Sequence, residues 1–349
     1  MAFTSAKSSL WNQLYQDIDN TIYNIDPLPD LPPRGKEIIG GSFEKRNVMK
    51  KYIRIFSLFL IIFILPLNLL AAKITAVKVG SKINITINNK YFTSYIFSED
   101  EKYPFFYPVN GPLSGGSVTS MRNAEYPHHS SLFFGCDLVN GGNYWQEGLE
   151  RGRIISVNAQ IVKEGGDTVI FTDECIWSRP GALSPVKDTR KFTITAPSAT
   201  MTQIDVEITM EMLMAVTIKK TNHSLFSARM AADLSVKNGG TMVNAEGLLG
   251  EPGTFGKGSP WIDFYGKRGN VVEGLAILQH PKNPWYPSPW FTRDYGFMSP
   301  TPMYWPQNGT DTQMKKGETL LLRYRVLVHA GTNTEADIAG QFEKYKNLW

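Results

Sequence analysis

Cysteine is almost missing from this chain: Cys136 and Cys175 are the only two in 349 residues. One pair cannot hold together a body of that size, so a disulfide-built scaffold is excluded and the fold must rest on an apolar core. Their neighbours are apolar (Phe133, Phe134; Ile176, Trp177), which leaves a disulfide and two buried thiols equally open. Charge of one sign is missing too. Lys and Arg number 36 against 32 Asp and Glu, a formal net charge of +4, and no basic run is interleaved with aromatics, so nucleic acid finds no electrostatic footprint. There is no HExxH, no CxxC and no compact Asp-x-Asp-x-Asp loop, so no local motif names a metal, and metal and cofactor stay unassigned. Long helical periodicity and fixed-period repeats are lacking as well.

Long hydrophobic runs are absent except for one. Residues 49–72 read MKKYIRIFSLFLIIFILPLNLLAA, with Lys50, Lys51 and Arg54 ahead of an apolar stretch at 55–70 and small residues, Ala71 and Ala72, behind it. That is the layout of a secretory signal peptide. A membrane anchor is the alternative, although the apolar run is shorter than the ~20 residues of a spanning helix and Pro66 interrupts it. Membrane contact, if uncleaved, would run through 55–70 alone. The preceding 1–48 are polar and Pro-rich (DPLPDLPPRG at 26–35), and are read as an over-extended start or a disordered tail. The expected plan is therefore 1–48, a leader or anchor at 49–72, and a single β-sandwich domain over 73–349 in a periplasmic or extracellular protein.

Within 73–349 the periodicity is that of strands. Segments 74–79, 83–87, 91–97, 153–162, 168–177, 191–196, 203–220, 271–279 and 319–329 alternate or run β-branched, and Asn88-Asn89 reads as a hairpin turn. Only 335–348 reads as an amphipathic helix, with Ile338, Phe342 and Tyr345 on one side. Many strands without intervening helices predict an all-β fold: a large antiparallel β-sandwich, jelly-roll or supersandwich-like, with a short C-terminal helix.

Two stretches are denser in chemistry than a structural strand requires. Residues 103–153 combine aromatics, glycines, the pair His128-His129, Asn140, Trp145 and Glu147; the second lies between Thr221 and Trp305, in parts 221–234, 247–266 and 278–306, the last with seven prolines and three tryptophans beside His280, Arg293, Asp294 and Tyr295. The candidate catalytic groups are His128, His129, Glu147, Arg293 and Asp294. Adjacent histidines on an extended segment point to opposite faces, so one of the pair at most is expected in a given pocket. Glu147 beside Trp145 is expected as a general acid, a histidine as base or orienter, and Arg293 as the holder of substrate charge or hydroxyls, with Asp137 or Asp294 as a second carboxylate. The candidate substrate-binding residues are Asn140, Trp145, His280, Trp285, Trp290 and Tyr295: aromatic rings for apolar sugar faces, with polar groups for hydroxyl edges. Trp177 and Trp261 are expected in the core, and His329 in a structural role; His223 and His280 are the other histidines from which a metal site could assemble.

The segments PHHSSLFFGCDLVNGGNYWQEG, TFGKGSPWIDFYG, HPKNPWYPSPWFTRDYGF and GETLLLRYRVLVHAG, in that order across 103–331, resemble the PmoA-like family of exported bacterial proteins, named after a methane monooxygenase subunit. The resemblance implies relatives in bacteria that degrade complex carbohydrate, and no settled reaction. Methane oxidation itself is not expected, since a subunit of that membrane enzyme needs several spans of ~20 apolar residues and none follows residue 72. The expected function is thus an exported carbohydrate-active protein with a carbohydrate ligand, performing acid/base hydrolysis, isomerisation or elimination as a glycoside hydrolase, lyase or sugar isomerase. A non-catalytic carbohydrate-binding or interaction module is the alternative.

Overall fold

The computed structural model describes residues 72–349 apart from Glu147. Expectations for residues 1–71, the leader or anchor among them, and the acid role of Glu147 lie outside the described residues.

Strand alternation sets the architecture. Thr168–Ser178 buries every second side chain, and Val186–Ser198 does so over most of its length, so each offers one apolar face that must be covered. The described residues solve this with two antiparallel sheets. The first, of twelve strands, runs Trp290–Arg293, Phe297–Pro300, Ser224–Arg229, Leu132–Val139, Phe105–Val109, Lys90–Ile96, Lys82–Ile87, Ile74–Val79 and Gly165–Gly166, with three short strands attached. The second, of eight, runs Thr241–Asn244, Trp261–Arg268, Val271–Gln279, Thr319–Ala330, Met201–Met212, Val186–Ser198, Thr168–Ser178 and Arg153–Lys163. Asn88 and Asn89 both take positive φ, 51° and 63°, the geometry of a tight two-residue hairpin.

Between the sheets lies an aromatic core. Tyr95 of the first sheet meets Phe171 and Phe192 of the second at ring-centroid distances of 5.3 and 5.0 Å, and Phe226 stacks on Tyr324 at 4.9 Å. Each such ring contributes about 1.5–3 kcal/mol by leaving water. Charge in this core is hydrogen-bonded: Arg190 donates to Asp188 at 2.7 Å, and Asp188 also accepts the Trp177 indole N–H at 2.6 Å. Cys136 and Cys175 are both buried and unpaired, so the two-thiol alternative holds.

Thr319–Ala330 buries both faces: Tyr324, Val326 and Val328 join the inter-sheet core, and Leu327 faces outward. That outer face is capped by the helix Ile338–Tyr345, shorter than the expected 335–348, which seats Ile338, Phe342 and Tyr345 against Leu278, Leu327 and Trp261. The Asp337 side chain accepts the Gly340 N–H at the helix start, satisfying one of the orphan donors there.

One expected strand is corrected. The run 203–220 is two strands, Met201–Met212 in the second sheet and Val216–Lys219 in the first. The chain leaves one sheet at Leu213, whose N–H bonds to the Pro185 carbonyl, and Asn140 receives it on the other. Its side chain donates to the Ala215 carbonyl at 2.9 Å and accepts the Thr217 N–H at 2.8 Å.

Candidate functional site

In Ser224–Arg229, Phe226 and Ala228 belong to the inter-sheet core, so Ser227 and Arg229 point to the outer side of the first sheet. Register extends that side across neighbours: Arg229 pairs with Phe297, Phe297 with Arg293, and Ser227 with Phe133. Tyr103 stacks on Phe133 at 4.9 Å, and Trp145 meets it edge-on at 4.8 Å. Gly135 makes that approach feasible, because a Cβ there would sit 2.6 Å from the Tyr144 carbonyl and 3.6 Å from the Trp145 ring.

Three histidines gather over this surface. The loop before Leu132–Val139 is folded, not extended: the Tyr126 N–H bonds to Asn123 Oδ1 at 2.7 Å, and the His129 N–H to the Tyr126 carbonyl at 3.1 Å. The expectation of opposite faces for His128 and His129 therefore fails, because the two-residue period needs an extended backbone. Their rings lie 4.4 Å apart, and His128 is 5.5 Å from His223. His223 stacks at 5.7 Å on Trp145, and its Nδ1 lies 3.6 Å from Asp137 Oδ2. His129 is sandwiched between Tyr126 at 5.1 Å and Phe297 at 4.5 Å. Burial, then the positive charges of His128, Arg229 and His223, push its pKa down to about 2, so it stays a neutral imidazole. The histidine rings meet edge to face, and among the described residues no three of His, Cys, Asp and Glu are placed to hold a metal ion.

His128 and Trp145 open onto a cleft of about 300 Å³, whose wall also includes Asp100, Lys102, Tyr103, Arg122, Pro127, Ser130 and Leu149. That volume is at the small end of ligand sites, and the wall mixes hydrogen-bonding groups with two apolar side chains. Of the residues singled out in the sequence, His128 and Trp145 line this cleft, and His129, His223 and Tyr295 join them through ring contacts; Tyr295 stacks on Tyr126 at 4.3 Å. Trp145 is fully buried and stacks on His223, so it backs the cleft wall and is not a free-standing sugar platform.

The others are placed differently. Arg293 is bonded to Glu251 at 2.5 Å and packs over Phe255 and Phe291, while Asp294 accepts the Glu251 N–H at 2.7 Å. Both anchor the short helix Gly250–Thr254, which corrects their expected catalytic place. Trp290 is fully buried and donates to the Ser259 carbonyl at 2.8 Å, so it is core and not a binding wall. His280 is likewise fully buried; its Nε2 pairs with the Leu348 carbonyl at 2.9 Å, and Tyr345 and Trp349 enclose its ring, so it fastens the C-terminus. Asn140 serves the sheet crossing described above. Trp285 lines a separate groove of about 580 Å³ with Gln307, Asn308 and Gln313. Sequence reasoning gave no role to Arg229 or Tyr126, because nothing in SLFSAR signals that the outer side of that strand is roofed by loops.

The chain belongs to a family of unknown function, DUF6807, which it matches over residues 82–343. This overturns the resemblance to the PmoA-like family; short aromatic, Gly and Pro motifs recur wherever loops roof a sheet and do not discriminate between families. No curated protein matches the chain. Among solved structures it is similar to a putative kojibiose phosphorylase from human microbiome, at 9% identity over 74% of this chain and 32% of that one, with a TM-score of 0.34. It spans about a third of that phosphorylase. It is also similar to a GalM/aldose epimerase homologue from C. elegans (8% identity, 75% and 99% covered, TM-score 0.30) and to a galactose mutarotase related enzyme from Lactobacillus acidophilus (9%, 74% and 98%, 0.30). Likenesses this faint carry no argument about what this chain does.

Proposed function

We propose that this member of the DUF6807 family is a carbohydrate-active enzyme that moves protons on a sugar ring, with His128 and His223 as its acid/base pair. The observation that supports this reading is the convergence of the two rings, 5.5 Å apart, with His128 on the wall of a small cleft and His223 directly behind it. One imidazole takes a proton from a substrate hydroxyl or C–H while the other returns one to a ring oxygen or neighbouring carbon. Asp137, 3.6 Å behind His223, steadies the imidazolium that forms. A cleft of about 300 Å³ suits a monosaccharide unit, with hydroxyls toward Asp100, Lys102 and Ser130 and the apolar ring face toward Pro127 and Leu149. Isomerisation or elimination fits better than two-carboxylate hydrolysis, since of the two described acids at this site Asp100 lines the wall and Asp137 is turned to His223. The protein works outside the cytoplasm in this proposal, on the strength of the leader-like segment 49–72.

The test follows a panel of reducing sugars and uronates in D2O by NMR, reading anomer exchange, solvent deuterium at carbon and new products, with parent protein, His128→Asn and His223→Asn. Turnover by the parent, reduced at least about 100-fold in both variants with binding kept, is expected. Binding without turnover would replace the enzyme with a sugar-binding module, and no binding by any variant or parent would remove the sugar reading.

A further inference from the structure

We infer that the sugar bound here is anionic, of the uronic-acid type, and that Arg229 receives its carboxylate; this rests on the reading of the cleft as a sugar site. Three guanidinium groups among the described residues are more than nine-tenths buried. Arg190 is paired with Asp188 at 2.7 Å, and Arg325 grips Asp205 with two bonds of 2.6 and 2.8 Å. Arg229, 5% exposed, makes no ion pair among the described residues, and its buried Nε and Nη1 have no protein hydrogen-bond partner there. Its charge is held by two π-faces, Tyr295 at 4.3 Å and Tyr126 at 5.1 Å from the guanidinium carbon. Cation–π contact compensates a buried charge only in part, and a buried donor left without an acceptor is costly.

The neighbourhood repeats the pattern. Trp145 Nε1, Ser227 Oγ and His129 Nδ1 are also buried without a protein partner, and all three residues lie on the same outer side of the sheet as Arg229 or in ring contact with it. An indole N–H and two guanidinium N–H groups only donate, and the hydroxyl and neutral imidazole can donate as well. A set so weighted selects a ligand rich in acceptors. The Nε–Nη2 edge of a guanidinium matches the two oxygens of one carboxylate, the geometry in which Arg binds best, and on Arg229 the Nε of that edge has no protein partner among the described residues. The nearby acids do not fill the role: Glu251 is engaged by Arg293, and Glu125 acts on Arg229 from beyond ion-pair distance. Lys237, 5.7 Å over the Tyr295 ring, adds positive field. The turn that carries Tyr126 over the guanidinium also carries His128 to the cleft wall, so the guanidinium and the cleft share one turn.

The experiment measures binding of the full chain to glucuronate, galacturonate and mannuronate beside glucose, galactose and mannose and their 6-phosphates, across a salt series, with parent protein and Arg229→Met. At least one uronate is expected to bind about tenfold or more tighter than its hexose, the gap shrinking as salt rises, and Arg229→Met should bring the pair to equality without losing the hexose. Equal binding of uronate and hexose, or a preference that survives in Arg229→Met, overturns the inference while leaving the sugar site intact. A 6-phosphate that outbinds every uronate also overturns it, since the anion would then be a phosphoryl group. No binding by any member overturns the sugar reading and this inference together. Should Arg229→Met not fold, Arg229→Lys keeps the charge without the fork and must lose the preference, and the parent's salt series needs no variant.

Discussion

The Nδ1 atom of His223 lies 3.6 Å from Oδ2 of Asp137, and the Asp137 N–H in turn bonds to the His223 carbonyl at 2.8 Å. Backbone and side chain thus hold the same two residues together across adjacent strands, so the carboxylate follows the imidazole. Asp137→Asn keeps the shape and removes the charge that stabilises a protonated His223. The expected result is a fall in kcat of about 100-fold with ligand affinity little changed; an unchanged kcat would make the pair structural.

His129 supplies a pH dependence of stability. An unfolded histidine titrates near the ordinary value of about 6.5, whereas burial, with the basic side chains of His128, Arg229 and His223 around it, pushes His129 down to about 2 in the fold. Between those values the unfolded chain binds a proton that the folded chain refuses, so stability falls as pH falls through that window. His129→Gln, uncharged in both states, should show a shallower loss of Tm between pH 7 and 4 than the parent. Parallel curves for the two would exclude His129 as the cause.

His329 works with the opposite sign. It is fully buried with its Nε2 2.9 Å from Asp263 Oδ1; burial alone would lower its pKa, but the Asp263 charge and hydrogen bond outweigh this and raise it. Stability from the protonated pair is complete below the ordinary histidine value and is lost as pH rises through the raised one. His329→Gln strands a buried carboxylate, so urea unfolding at pH 6 should show a loss of about 3 kcal/mol, and a smaller loss at pH 9.5. Equal losses at both would mean that the pair carries no net charge effect.

Glu273 is fully buried and accepts the Leu113 and Ser114 N–H groups, both at 2.7 Å, and the Ser114 hydroxyl. Glu273→Ala leaves three donors without their acceptor and should cost about 2–4 kcal/mol, with earlier proteolytic cleavage in the loop 110–117. A variant as stable and as protease-resistant as the parent would show that water replaces the carboxylate at no cost.

Strand content was legible because alternation is a local property. Thr168–Ser178 and the helix face of Ile338, Phe342 and Tyr345 both appear in the sequence at the period in which the structure buries them. The run 203–220 misled because its apolar pattern continues through Leu213 while the backbone changes sheets, an event fixed by the distant partners Pro185 and Asn140. At the site, His128 and His129 were recognisable as unusual, but the turn that sets both rings together depends on hydrogen bonds from Asn123 and Tyr126, which alternation does not encode.

The amino-acid order alone determined that this chain builds antiparallel sheets with a short terminal helix, that its cysteines do not carry the fold, and that aromatic and ionisable residues concentrate in two stretches. Only the tertiary structure decided which of those residues meet. It sent Trp290 into the core, His280 to the C-terminus and Arg293 to Glu251, and it brought His223 against Asp137 and His128, a residue of the cleft wall. The reason is that residues far apart in sequence become neighbours through strand register and loop cover, and register is set by the whole apolar pattern of both sheets.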